Sequence, residues 1–129
     1  MSFLRVTTTF LATLHDARVE YFAFDDSRGR LLLTLLLDAD AGVAHCQQLV
    51  VLSGIRHKMN VARVQRAIDA ELAATNRPSL GYRLNEFHLL PKEASASPTG
   101  LLSIRLAIDH LPSLQLCCQK ITHRQVTPP

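Results

Sequence analysis

The residue types that could do chemistry in this chain are carboxylate pairs, thiols, imidazoles and a scatter of cations. Asp25-Asp26 and Asp38/Asp40 pair carboxylates, as general acid–base work would need, but both pairs sit in turn-like segments where Asp is favoured structurally. His45-Cys46 and Cys117-Cys118 bring thiols and an imidazole, without the two-residue spacer usual for structural zinc. The plain reading of Cys46 is a buried thiol in a strand, and neighbouring strand residues point to opposite faces, so His45 is not aimed to activate it. There is no phosphate-binding glycine loop, no Gly-x-Ser-x-Gly elbow and no His-Glu-x-x-His. The expectation is therefore a protein that is not an enzyme and carries no metal and no cofactor.

What remains is polyanion chemistry. Arg56, Lys58, Arg63, Arg66, Arg83, Lys92 and Arg105 could contact phosphates, with Arg56-His57-Lys58 just before a helix and Arg105 outward on a strand. For any one of them the plain reading is a solvated surface. Their grouping argues for more. Residues 1–55 hold four arginines against six acids, whereas residues 56–129 hold ten basic residues against five acids. The overall net charge of +3 is too mild to decide a partner. Stacking on bases needs flat side chains, and the chain has five Phe, two Tyr and no Trp. The candidates are Tyr21, Phe22, Phe24, Tyr82 and Phe87. Tyr21 and Phe22 cannot share a face, and Tyr82, followed by Arg83, is the best exposed candidate.

The elements that must position these residues read as mainly β. The 129 residues suit one domain, and 47% apolar residues suffice for a core. Residues 4–24 read as one long bent strand, or two short ones meeting near Asp16, from alternation and β-branched residues. Asp25-Asp26-Ser27-Arg28-Gly29 is a turn. Arg30 to Asp38 is a central strand, with Leu31, Leu33, Leu35 and Leu37 on one face and Leu32 and Leu36 on the other. Asp38 to Gly42 turns again, and Val43 to Ser53 is a third strand stopped by Gly54. Asn60 is the expected N-cap of one helix, with Val61, Val64, Ala67, Ile68 and Leu72 at helical spacing. Pro78 ends it. Tyr82 to Leu90 and Leu101 to Ile108 form a hairpin around a small polar loop, Glu93 to Gly100, and Leu114 to Ile121 suggests a further strand. The spacing predicts a domain over residues 1–121 and a short flexible tail over 122–129.

Three strands, a helix between strands three and four, then a hairpin is the order of the OB-fold, a five-stranded Greek-key barrel. The local sequence resembles bacterial single-stranded DNA-binding proteins. Ala12-Thr-Leu-His-Asp-Ala-Arg-Val-Glu-Tyr21 resembles that family's first-strand segment. Arg28-Gly-Arg-Leu-Leu-Leu-Thr-Leu-Leu-Leu37 resembles its second strand, and His45-Cys-Gln-Gln-Leu-Val-Val-Leu-Ser-Gly54 its third. Leu52-Ser-Gly54 and Gly81-Tyr-Arg-Leu84 are similar to steps in OB-like replication proteins of integrative and conjugative elements. The resemblance implies single-stranded DNA binding in DNA replication, recombination or transfer, including that of a mobile element. Applied to this chain, it offers Arg56, Lys58, Arg63, Arg83, Arg105, Lys92, Tyr82 and Phe24 as contacts. The family's base-stacking Trp in its third strand is replaced here by His45-Cys46-Gln47-Gln48. The family's acidic, Phe-tipped tail is replaced by His123-Arg-Gln-Val-Thr-Pro-Pro129. The alternative is an OB-like protein-interaction module that has lost strong nucleic-acid binding.

Under either reading a homo-oligomer is expected, with Leu114-Gln-Leu-Cys-Cys118 able to extend the sheet to another subunit. A replication or recombination protein is a further expected partner. Three cysteines, and an N-terminus without the charged head and apolar run of a secretory signal, suggest a reducing cytoplasm. No membrane contact is expected, since the longest apolar run, Leu31 to Leu37, is broken by Thr34.

Overall fold

A computed structural model describes residues 4–5, 8–37, 46–56, 58–90 and 102–126. In chain order the elements are β1 (Leu4–Arg5), α1 (Thr8–Thr13), β2 (Arg18–Asp25), β3 (Arg30–Leu37) and β4 (Cys46–Ser53). Then follow α2 (Lys58–Thr75), β5 (Tyr82–Leu89), β6 (Leu102–Ile108), β7 (Leu114–Cys118) and β8 (Lys120–Val126). All paired strands are antiparallel, in the order β1-β8-β4-β3-β2-β5-β6-β7. The mainly β class expected from the sequence is what the chain adopts. The expected five-stranded Greek-key barrel with a single helix is corrected: among the described residues eight strands form one open antiparallel sheet, with two helices.

The long Leu-rich strand is the centre of the sheet. Leu31, Leu33 and Leu35 are fully buried, while Leu32, Thr34 and Leu36 on the other face are half-buried. The turn before it forms as its composition dictates. Asp25 Oδ1 accepts from Ser27 Oγ at 2.8 Å and from the Arg28 amide at 3.3 Å. The Ser27 hydrogen bond, aided by the Arg28 amide and nearby arginines, holds the Asp25 carboxyl below its usual value. Gly29 takes φ +61 to close the turn.

β7 and β8 are consecutive segments of one strand, separated only by Gln119. β7 pairs with β6, and β8 pairs with β4. Leu114, Leu116 and Cys118 point inward, then Ile121 does. The inward parity changes from even to odd, so one extra residue must be inserted to keep the strand facing the core as it bends. Gln119 and Lys120 are both exposed at that step. Gln119 N donates to Ser53 O at 2.9 Å, and Arg56 N donates to Cys117 O at 2.8 Å. The end of β4 is thus stitched to the junction on both sides.

Two sequence expectations are corrected here. Residues 8–13 are helical rather than extended. Leu11, Leu14 and Ala17 are buried while Ala12, Thr13, His15 and Asp16 are exposed, a spacing of three rather than two. The tail expected to be flexible from residue 122 instead carries β8 to Val126, pairing with β4 from Gln47 to Ser53. The Leu114–Cys118 segment, as expected, stands at the edge of the sheet order: β7 pairs only with β6, apart from the single bridge from Arg56 to Cys117. Residues 91–101, which include the expected polar loop and Lys92, lie outside the described residues, as does Asp38/Asp40.

α2 buries Val61, Val64 and Ile68, with Leu72 packed partly against the core. It begins at Lys58, two residues before the expected cap, so Asn60 lies in its first turn. Its C-terminus closes on Asn76 at φ +53, with Arg77 N donating to Leu72 O at 3.4 Å. α1 is held by Phe10, whose ring stacks on His123 of β8 at 3.6 Å between centroids. Burial holds the His123 imidazole below its ordinary value of 6.5, and its Nδ1 is buried without a hydrogen-bond partner.

Two outcomes follow from these contacts. At Gly54, φ is +68, and an added Cβ would lie 2.5 Å from Gln119 Cγ. At Gly81, φ is +72, but nothing lies within 4 Å. In urea melts Gly81→Ala should therefore lose only the conformational term, about 1–2 kcal/mol, and Gly54→Ala clearly more. Equal losses would contradict the packing of Gln119 over Gly54. For His123, the neutral ring's contribution is complete above the unfolded value near 6.5 and is lost as pH falls toward the lower folded value. Melting temperature should therefore fall over that window, and His123→Phe should flatten the fall.

Candidate nucleic-acid interface

The cations separate into two groups. The first lies where α2 passes over β7. Arg63 from α2 and Arg105 from β6 line one open cleft of about 280 Å³, with Asn60, Val64, Ser113, Leu114 and Gln115. Both arginines are exposed, and none of the residues lining the cleft is acidic. Arg105 is carried there by register, since it lies opposite Gln115 in the β6–β7 ladder. Asn60 Nδ2 reaches the Gln115 carbonyl at 3.4 Å and fixes the start of α2 over the strand. A second hollow continues from Asn60 and Gln115 past Leu116 to Cys117. Arg56, exposed, pairs by backbone with Cys117 at its end.

Lys58 sits at the same end of α2 but is partly engaged. Its Nζ donates to the Asp26 carbonyl at 3.0 Å and lies 4.0 Å from Asp26 Oδ1. Arg105 has a neighbour too: its Nε is 3.4 Å from Glu86 Oε2, with both side chains about half exposed. An exposed pair of this kind is screened and weak, so it competes with an anionic ligand without blocking it. Arg66, one helical turn past Arg63, is exposed but does not line the cleft.

The second group is Arg83 on β5 and Arg18 on β2, register partners and both exposed. Arg83 lies five residues along β5 from His88, the register partner of Arg105, a separation of about 17 Å. The two groups therefore do not form one site.

The stacking candidates are placed away from the cleft. The Tyr82 hydroxyl donates to Glu71 Oε1 at 2.5 Å, with Arg77 over its ring at 5.4 Å and His110 at its edge at 5.0 Å. The Glu71 hydrogen bond holds the Tyr82 phenol above its usual value. Tyr82 thus fastens the C-terminal half of α2 to β5. Phe24 packs partly against the core, and its amide donates to Gln65 Oε1 at 2.9 Å. Phe22 and Phe87 are buried. Tyr21 is the exposed aromatic, at 51%, displaced by a bulge between Val19 and Tyr21. Its strand position gave the alternation with Phe22, but the bulge leaves no mark in the sequence.

The Cys118 thiol offers little chemistry. Burial, with a smaller push from Cys117, raises the Cys118 thiol to about 12, so it stays protonated at neutral pH. Among the described residues no group of three His, Cys, Asp or Glu could hold a metal ion. Among them, too, no helix is long and apolar enough to cross a membrane. Asn60, Ser113 and Gln115 were not legible as site residues. The outward position of Gln115 follows from alternation, but its place beneath α2 depends on tertiary packing.

Comparison with protein-family models, with curated proteins and with solved structures finds no match. The chemistry of the cleft therefore carries the functional reading.

If Arg63 and Arg105 act together on polyanions, Arg105→Gln should elute from heparin at lower salt than the parent protein. Glu86→Gln, which frees Arg105, should elute at higher salt. Unchanged elution of both would show that this cleft does not carry the anion affinity.

Proposed function

We propose that the protein binds single-stranded DNA without enzymatic activity, through a cationic cleft beside its sheet, in DNA replication, recombination or transfer. The observation that supports this best is the cleft between α2 and β7. Two arginines from separate elements face it, with amide and hydroxyl donors between them and no acid among its lining residues. Such a set suits successive phosphates of a flexible strand, since guanidinium forks match phosphate oxygens. With no aromatic lining the cleft, the contribution of about 1–3 kcal/mol per stacked base is missing there. Affinity on this reading is mainly electrostatic. Two phosphate contacts, one for each arginine, give a slope of log affinity against log salt of about −1.4.

A second reading has its own support. The outward face of β3 and β4 presents Leu32, Leu36 and Leu49, with Arg30 at one end. That face suits a protein-docking module, whose partner would include a replication or recombination protein.

Fluorescence anisotropy with labelled oligo-dT separates the two readings. Single-strand binding predicts affinity that falls with salt at the stated slope. It also predicts a loss of about tenfold or more for the Arg63→Glu, Arg105→Glu double variant, and little change for Tyr82→Phe. A folded protein with no binding at low salt would leave the docking reading.

A further inference from the structure

Two arginines stand directly opposite each other where β2 meets β5. Arg18 and Arg83 are register partners, and both are exposed. The Leu84 amide donates to the Ala17 carbonyl at 2.7 Å, so Arg18 and Arg83 face each other at a non-hydrogen-bonded position of the ladder. Opposed residues lie closest at such positions, about 4.5 Å between Cα atoms. Like charges placed this way repel unless an acid sits between them. Three acids are near, and each is engaged elsewhere. Asp16 and Glu20 flank Arg18 in sequence, and the Asp109 amide donates to the Arg83 carbonyl. Asp16 Oδ2 lies 3.3 Å from His15 Nδ1, and Glu20 Oε1 accepts from Gln47 Nε2 at 3.3 Å. Asp109 Oδ1 accepts from Asn85 Nδ2. Neither guanidinium has a hydrogen bond or ion pair among the described residues. Gly81, two residues before Arg83, has nothing within 4 Å of where a Cβ would stand, so the approach beside the pair is open.

We propose that Arg18 and Arg83 form a site for a terminal phosphate, a phosphomonoester group held between the two guanidiniums. Each guanidinium is a planar fork whose paired N–H donors match two oxygens. Two forks side by side offer two such pairs and a charge of +2. A phosphomonoester answers both, with three terminal oxygens and a charge of about −1.5 to −2 at neutral pH. A carboxylate or an internal phosphodiester has one negative charge and two free oxygens, enough for a single fork. The α2–β7 cleft differs in this respect: Arg63 and Arg105 come with amide and hydroxyl donors, and Arg105 already has Glu86 beside it. The bound group also ends the repulsion between the arginines, so occupancy stabilises the fold. The site uses no cleft residue and does not depend on the single-strand reading. Its phosphate arrives either on the end of a nucleic-acid strand or as a free phosphate or nucleotide, and the recognition chemistry is the same.

Amide NMR of the full chain, titrated with thymidine 5′-monophosphate and separately with thymidine, tests it. The nucleotide should give saturable shifts at Arg18 and Arg83, and thymidine should give none there. Arg18→Gln and Arg83→Gln, each with an unchanged circular dichroism spectrum, should bind the nucleotide at least tenfold more weakly. Without ligand, Arg83→Gln should melt slightly higher than the parent protein, because one of two repelling charges is gone. Two further probes identify the source. Tighter binding of 5′-phosphorylated than of 5′-hydroxyl oligo-dT, lost in Arg83→Gln, assigns the site to a strand end. Inorganic phosphate acting as strongly as the nucleotide, with no difference between the oligonucleotides, assigns it to the free anion. Nucleotide binding at the pair by a protein with no affinity for oligo-dT would support this site while removing the single-strand reading. No saturable shift at Arg18 and Arg83 with nucleotide or inorganic phosphate would overturn the proposal. So would nucleotide affinity unchanged in the Arg18→Gln, Arg83→Gln double variant.

Discussion

The fold depends on one junction, where the final strand bends at Gln119 against Gly54. β7 closes one side of the sheet on β6, and β8 closes the other on β4. Both are parts of the same run of chain, so the bend sets the geometry of the whole sheet. Two constraints fix it. The side-chain parity must change between Cys118 and Ile121, which forces an extra residue. Gly54 must then lack a Cβ, because Gln119 occupies that space. The backbone bonds from Gln119 to Ser53 and from Arg56 to Cys117 hold the two segments in that arrangement. The same stitch places Arg56 and the start of α2 beside β7, so the cationic cleft is a consequence of the junction.

The sequence was legible where pattern and packing agree. The Leu-rich β3, the Asp25–Gly29 turn, the buried stripe of α2 and the β5–β6 hairpin strands all follow from periodicity and turn chemistry. α1 was not, because Thr7-Thr8-Thr9 carries β propensity and tertiary burial of Leu11 and Leu14 overrides it. β8 was not, because Thr122 to Val126 is polar by composition and gains its order from the β4 ladder and from the Phe10–His123 stack. The cap expected at Asn60 falls two residues inside the helix, where its side-chain amide donates to the Gln115 carbonyl of β7.

The candidate site was half legible. Charge asymmetry pointed to the second half of the chain, and Arg63 and Arg105 do meet there. Arg83 does not join them, since strand β5 carries it to the opposite end beside Arg18. Tyr82, followed by Arg83, read as the best exposed aromatic, but Glu71 in the fourth turn of α2 captures its hydroxyl. Contacts of this kind are made between distant segments and leave no local signal. What results is a surface with cations around α2 and β7, apart from the leucines Leu32, Leu36 and Leu49 on the outward face of β3 and β4.

The central claim is that the α2–β7 cleft is where a single strand binds. Amide chemical-shift mapping by NMR, on titration with oligo-dT at low salt, tests it most directly. The account predicts that the largest shifts fall on Asn60, Arg63, Arg105, Ser113 and Gln115 and fade as salt is raised. Shifts confined to the outward rows of β3 and β4, or no shifts at all, would contradict it.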